Sequence, residues 1–207
     1  MVHRNGEYFF QYIIFQVEDQ LFRVPKHMFV NHSPIFRTTF ELPVAEGAIP
    51  DGSSEEQPFV LDGVKVADFI PLLECLYPLK FRTTFSFTLE EWTSIFKLAT
   101  IYDMEAIRNL AIKSMQPQLA NHPSLKVHLA KHYDVKDWLV PGLVKLVQRK
   151  RPLDEDDVQL IGLTDALKVA ALREDCRRSL DARTWLVKPR GEVLMDFTPS
   201  IQARFNL

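Results

Sequence analysis

The 207-residue chain has no excess of positive charge: 25 lysines and arginines stand against 27 aspartates and glutamates, a formal net charge of −2. A nucleic-acid-binding surface usually declares itself as a basic surplus, so no nucleic-acid partner is expected. Cysteine is scarce. Cys75 and Cys176 lie far apart and neither sits in a CxxC pair, which reads as packed, reduced thiols rather than a redox or metal site. Long apolar runs are missing as well. Tyr8 to Val17 is the most apolar stretch near the start, yet it is too short for a bilayer and is interrupted by Gln11 and Gln16. The opening Met1-Val2-His3-Arg4-Asn5-Gly6 lacks a signal-peptide pattern. A soluble protein of the cell interior, cytoplasmic or nuclear and without a membrane partner, is expected. GxSxG, P-loop and GxGxxG motifs are all absent, and Ser33 beside His32 is adjacency, not triad geometry. No catalytic residue, cofactor or metal site is therefore assigned, and the chain is not expected to be an enzyme.

What is present is ample core material, 46% apolar and 11% aromatic residues. Tyr8-Phe9-Phe10-Gln11-Tyr12-Ile13-Ile14-Phe15-Gln16-Val17 is aromatic and β-branched and predicts a strand. Both of its faces are apolar, so it needs cover on both sides, from its own chain or from a second subunit. Glu18-Asp19-Gln20 predicts a turn and Leu21 to Val24 a returning strand. Pro25 suits a first helical position, and Ser33 followed by Pro34 predicts an N-capped second helix with Ile35, Phe36 and Phe40 on one face. Pro43 to Pro58, with Gly47, Pro50 and Asp51-Gly52-Ser53-Ser54, reads as a mobile surface loop. Phe59-Val60-Leu61 is a third strand.

Only helices are predicted after that. Phe69, Leu72, Leu73 and Leu76 have helical spacing, with Pro71 placed in a first turn if Asp68 is the N-cap. Thr88 and Glu91 have capping-box spacing ahead of Trp92, Ile95, Phe96, Ala99 and Tyr102. Ile107, Leu110, Ala111 and Met115 mark a helix stopping before Pro117. Further helices are expected over Leu125–Tyr133, Val135–Arg149 with Asp134 as N-cap, Asp154 to Gly162, and Thr164 to about Asp175. Residues 176–207, with Trp185, Pro189-Arg190-Gly191 and Phe197, are left unassigned. The fold class is α+β: a small mixed sheet flanked by a cluster of helices, then an all-helical extension.

These residues resemble the BTB/POZ domain. The similarity rests on Phe15-Gln16-Val17-Glu18-Asp19, Leu21-Phe22-Arg23-Val24-Pro25-Lys26 and Ser33-Pro34-Ile35-Phe36, a strand pair followed by Ser-x-x-Phe. Phe69 to Tyr77 resembles the family's third core helix, Trp92 to Thr100 the next, and Ile107 to Ile112 the one after. Leu76-Tyr77-Pro78 and Glu91-Trp92 are similar to the fungal, basidiomycete branch. The similarity divides the chain into a BTB/POZ domain at 8–119, a helical extension at 120–175 and a tail at 176–207. Two departures accompany it. Little sequence precedes the first strand, where many animal members place an extra helix and strand that build a swapped dimer. Kelch repeats, zinc fingers and a MATH domain are not found.

The resemblance implies a non-enzymatic interaction module that self-associates or acts as an adaptor, with the helical extension as a second docking platform. It also supplies candidate sites. Leu72-Leu73-Glu74 resembles the hydrophobic-x-Glu element through which some BTB adaptors engage the cullin scaffold of a ubiquitin ligase, or is simply core followed by a solvated glutamate. The alternative function is a dimeric transcriptional or chromatin co-regulator without cullin. Tyr8, Phe9, Phe10 and Tyr12 form either a homodimer surface or an internally buried strand. His128 and His132 are spaced as zinc ligands can be, but no third ligand is evident and a surface pair is the simpler reading. Gln148-Arg149-Lys150-Arg151 reads as a solvated helix end and Asp154 to Asp157 as a helix start.

Overall fold

A computed structural model describes residues 3–43, 47, 49–78, 86–184 and 196–207, the side chains of 176, 177 and 179–184 excepted. Trp185, Pro189-Arg190-Gly191 and the Cys176 side chain lie outside the described residues. The chain divides into two compact units, Met1–Gln116 and Pro117–Leu207.

The first unit begins with β1 (Tyr12–Val17) and β2 (Gln20–Pro25), followed by α1 (His27–His32) and α2 (Pro34–Glu41). β3 (Phe59–Val60), α3 (Val66–Leu76), α4 (Leu89–Ile101) and α5 (Glu105–Gln118) complete it, the unit boundary falling near the end of α5. The sheet order is β2-β1-β3. β1 is antiparallel to β2, with Phe15 opposite Phe22, and parallel to β3, with Phe15 opposite Phe59. This is the expected α+β arrangement, a small mixed sheet with helices against it.

β1 starts at Tyr12, four residues later than the aromatic run predicts. Its ladder ends where Tyr12 faces Pro25, which has no N–H to donate, and the Lys26 N–H closes the pairing by donating to the Gln11 carbonyl at 2.7 Å. Beyond that point β2 has turned into α1, so Tyr8 to Phe10 have no strand to pair with.

From Ile13 to Val17 the central strand is covered by its own chain. Phe15 is fully buried, with ring centroids 4.7 Å from Phe29, 5.7 Å from Phe69, 5.8 Å from Phe36 and Phe59, and 6.5 Å from Phe40. Ile14 points to the other face by strand alternation and is also buried, beside Arg23 and Ser53–Glu55. The segment expected to be a mobile surface loop contributes to this cover. The Ile14 N–H donates to the Gly52 carbonyl at 2.8 Å, and the Leu61 N–H donates to Gln16 at 2.9 Å. Gly52 is buried at a φ of +81°, and a Cβ there would lie 2.6 Å from Ile13 Cγ1. Only glycine lets the loop close on the strand in that conformation.

Ser33 caps α2 as expected and does more. Its buried Oγ accepts from the Phe36 N–H at 3.1 Å and donates to the Tyr102 carbonyl at the end of α4, 2.5 Å away. Phe36 points inward, whereas Ile35, expected on the same face, is exposed. The Thr88–Glu91 capping box of α4 is present in both directions. α3 differs from expectation. Asp68 is not its N-cap; the helix begins at Val66, whose N–H donates to the Glu18 carboxylate at 2.8 Å. Asp68 instead joins α3 to α4, accepting from Ser94 Oγ at 2.6 Å and Lys97 Nζ at 2.7 Å. Pro71 consequently lies inside the helix.

The second unit contains a 3-10 turn (Leu119–Asn121), α6 (Pro123–His132), α7 (Lys136–Gln148), α8 (Glu155–Ile161), α9 (Leu163–Thr184) and α10 (Thr198–Phe205). Its core joins Val127, Leu143, Leu146, Val147, Ile161, Val169 and Leu172. Three sequence expectations need correction. Pro117 lies within α5 instead of ending it, and Val135, not Asp134, is the N-cap of α7. α9 starts before Thr164, since the Ala166 N–H already bonds to the Gly162 carbonyl at 3.0 Å.

Arg149 is likewise not a solvated helix end. Its guanidinium pairs with both carboxylate oxygens of buried Asp157, which also accepts from Ser124 Oγ and from the Asp154 N–H at 3.0 Å. The expected helix start at Asp154 is a capping box with Asp157. Burial opposes ionisation of Asp157, but the hydrogen bonds from Arg149, Ser124 and Asp154 and the guanidinium charge outweigh it and hold its carboxyl well below the usual carboxylate range.

Two measurements follow from these contacts. Ser33→Ala removes a cap and leaves the Tyr102 carbonyl unpaired. A loss of about 1–3 kcal/mol is expected in urea denaturation, and an unchanged midpoint would contradict the clasp. A depressed carboxyl adds stability that is complete above the unfolded value of about 3.9 and is lost as pH falls toward the folded value. Asp157→Asn leaves Arg149 without its counter-charge and is expected to cost about 3–5 kcal/mol at pH 7. The gap to the unsubstituted chain should narrow as pH drops below about 4. A gap independent of pH would show that the carboxylate charge is not what matters.

Candidate interaction surfaces

The first surface is the chain that enters β1. Asn5 Oδ1 accepts from the backbone N–H groups of Glu7 and Tyr8 at 2.9 and 3.0 Å, a turn that sets up the extended segment. The four aromatic residues singled out from sequence all lie at the surface: Tyr8 is 71% exposed, Phe9 57%, Phe10 40% and Tyr12 53%. Phe10 is the most anchored, its ring stacked on His27 at 4.4 Å and 17°. His27 in turn meets Tyr77 edge-on at 6.1 Å. The Tyr77 hydroxyl donates to the Pro25 carbonyl, and burial pushes its phenol up, away from ionisation, so the donor proton is kept.

Cations rim these rings. Arg4 lies 4.6 Å from the Phe9 centroid, Arg23 5.2 Å from Tyr12, and Lys26 4.7 Å from Phe40. Between the segment and helices α1 and α2 runs a groove of about 700 Å³, lined by Phe9, Phe10, Lys26, His27, Arg37 and Phe40 among others. Lys26, His27, Arg37 and Phe40 join the candidate residues only through the fold. Lys26 and His27 sit in the motif after β2, but nothing in their spacing points to residues 8–10. Only the fold brings the two segments together.

The second surface is α3. Leu72, Leu73 and Glu74 do not form one exposed element. Leu72 is 0% exposed and belongs to the core with Phe69, Pro71 and Leu76, while Leu73 and Glu74 are half-buried. Ile70, 41% exposed, is the apolar residue that α3 presents outward. Cys75 is half-buried, and burial pushes its thiol up to about 11, so it is protonated and unreactive at neutral pH.

His128 and His132 stack at 5.8 Å and 7°, and His128 Nδ1 lies 2.8 Å from the Leu160 carbonyl. That contact directs one ring nitrogen into the protein. Among the described residues, no group of three or more His, Cys, Asp or Glu is placed to hold a metal ion. No described helix is long and apolar enough to cross a membrane.

No curated protein matches the chain. A family model does match: that of the BTB/POZ domain, over residues 4–119. The matched span takes in the Phe15 cluster, the Ser33 clasp, the exposed aromatic segment and α3, so the chain belongs to the BTB/POZ family, whose domain is a protein–protein interaction module.

Proposed function

We propose that this chain is a non-enzymatic adaptor that forms a homodimer through Tyr8, Phe9, Phe10 and Tyr12. The exposure of these four rings, beside Ile13, Ile14, Phe15 and Val17 that the domain itself buries, carries the reading. Fully burying one such side chain contributes about 1.5–3 kcal/mol, so rings grouped on one segment are a strong drive toward association. Aromatic residues flanked by arginine are what interface cores favour. A two-fold arrangement would set the segment of one copy against the groove or segment of the other.

A further role as a cullin-type ubiquitin-ligase adaptor has narrower support. Ile70, Leu73 and Glu74 give α3 an outward face with apolar groups beside an acid, which suits a partner helix. Leu72, being core, would act only by holding that face in place. The Leu76-Tyr77-Pro78 and Glu91-Trp92 features support a place in the fungal branch of the family.

Phe9→Asp with Tyr12→Asp is expected to convert a dimer to a monomer in light scattering while moving the thermal midpoint by no more than about 2 °C, since both rings are exposed. A wild-type chain that is monomeric at all concentrations would overturn the dimer reading. Glu74→Lys is expected to abolish cullin recovery in pull-downs without unfolding the chain. Recovery unaffected by the substitution, or co-repressors recovered from nuclear extract with no cullin, would overturn the ubiquitin-ligase role in favour of a co-regulator.

A further inference from the structure

Arg23 and Ser53 face one hollow from opposite sides of Ile14. Ile14 is paired with Arg23 in the ladder to β2, and its N–H bonds to the Gly52 carbonyl on the other side. Side chains of paired residues stand on the same face of a sheet, so Arg23 flanks Ile14 there. Arg23, Ser53, Ser54 and Glu55 are among the residues lining a hollow of about 390 Å³ over this point. Arg23 is exposed, with its guanidinium 5.2 Å from the centre of the Tyr12 ring. Among the described residues it makes no ion pair.

The two serines in the hollow differ. Ser53 is exposed, and its hydroxyl donates to the Pro50 carbonyl at 2.6 Å. Ser54 is half-buried, and its Oγ accepts from the Gln57 N–H at 3.2 Å. Glu55 and Glu56, the second and third residues after Ser53, are both exposed. A serine followed by carboxylates at those positions suits a kinase whose substrate cleft is basic, since charge pattern is a main source of kinase selectivity. The turn itself is closed by hydrogen bonds of Gln57, which accepts from the Gly52 N–H at 2.8 Å and donates to Asp51 Oδ1 at 3.1 Å. Parting those bonds releases the stretch from Ser53 to Gln57 as extended chain.

We propose that Ser53 is a phosphorylation site for an acid-directed serine/threonine protein kinase, and that Arg23 captures the phosphate. In the transfer, Ser53 Oγ bonds to the γ-phosphorus of ATP as the bond from that phosphorus to the bridging oxygen breaks. ADP leaves, and the hydroxyl proton passes to the carboxylate base of the kinase. Phosphoserine brings a charge of about −1.5 to −2 and three acceptor oxygens. A guanidinium takes two such oxygens at once. Arg23 and Ser53 are two strand spacings apart, about 10 Å, which the two side chains together span. Glu55 in the same hollow opposes the phosphate but carries less charge than the phosphate does. Capture draws Arg23 off the Tyr12 ring and ties the Gly52 turn to β2 across Ile14. The site stands whether or not Tyr8 to Tyr12 form a dimer surface.

The test treats the full chain with recombinant casein kinase II, an acid-directed enzyme, and magnesium ATP. Intact-mass spectrometry should show one added phosphoryl group, and fragmentation should place it on Ser53. Ser53→Ala should take up none, Ser54→Ala should still be modified, and Glu56→Gln should lower kcat/KM by about tenfold or more. No uptake by the folded chain, or uptake at Ser54 instead, would overturn the site. The part played by Arg23 is read by hydrogen exchange. The Ile14 amide bonds to the Gly52 carbonyl, so it reports closure of the turn. Phosphorylation should slow its exchange by about fivefold. Arg23→Gln should be phosphorylated at the same rate and show no slowing. Unchanged Ile14 exchange in the phosphorylated chain, or equal slowing in Arg23→Gln, would overturn the capture.

Discussion

Everything in the first unit is arranged around the need to cover one strand on both faces. β1 is the middle strand of three and carries Ile13, Ile14, Phe15 and Val17, all buried. An apolar strand of this kind left open would template pairing with other chains. The helices α1 to α3 close one face by surrounding Phe15 with Phe29, Phe36 and Phe69. The turn at Gly52 packs against the Ile13 side chain and bonds the Ile14 N–H along the strand, and Ser53 to Glu55 lie beside Ile14. The left-handed glycine, the Ser33 clasp and the Glu18 cap on α3 all serve to hold those covering pieces in place.

The same ladder that is complete inside stops abruptly at Tyr12. Pro25 cannot extend it, and the chain of β2 leaves the sheet to become α1. The aromatic character of the sequence, however, continues outward to Tyr8. The stretch thus divides into two physical parts: five residues satisfied within the domain, and four rings that stay exposed. For a BTB/POZ protein, whose domain serves interaction, that second part is where a binding surface is expected.

The sequence was most informative where structure is set by neighbours a few residues away. The hairpin, the caps at Ser33, Thr88 and Asp154, and the BTB/POZ assignment all rest on short patterns with local causes. It misled where the deciding group is distant. The N-terminal acceptor of α3 is Glu18, far from Val66 in sequence, so Asp68 looked like the cap by proximity alone. Arg149 looked like part of an exposed basic run because its partner Asp157 is brought to it only by the packing of α6, α7 and α8. Leu72 looked available to a partner because periodicity shows that α3 has an apolar face but not how wide the covering is. Tyr8 to Phe10 looked like strand because β propensity does not report whether a pairing edge exists. In the tail, α10 is not legible in the sequence, since eight residues give too little periodicity to separate a helix from a loop.

The division at Tyr12 is best tested by hydroxyl-radical footprinting over a range of protein concentrations, read residue by residue with mass spectrometry. Phe15 should be protected at every concentration. Tyr8, Phe9 and Tyr12 should be modified readily in dilute solution and become protected as concentration rises and a second copy covers them. Modification of those three rings that does not change with concentration, or ready modification of Phe15 in the dilute sample, would contradict the view that the inner strand is complete by itself and the outer segment is completed by a partner.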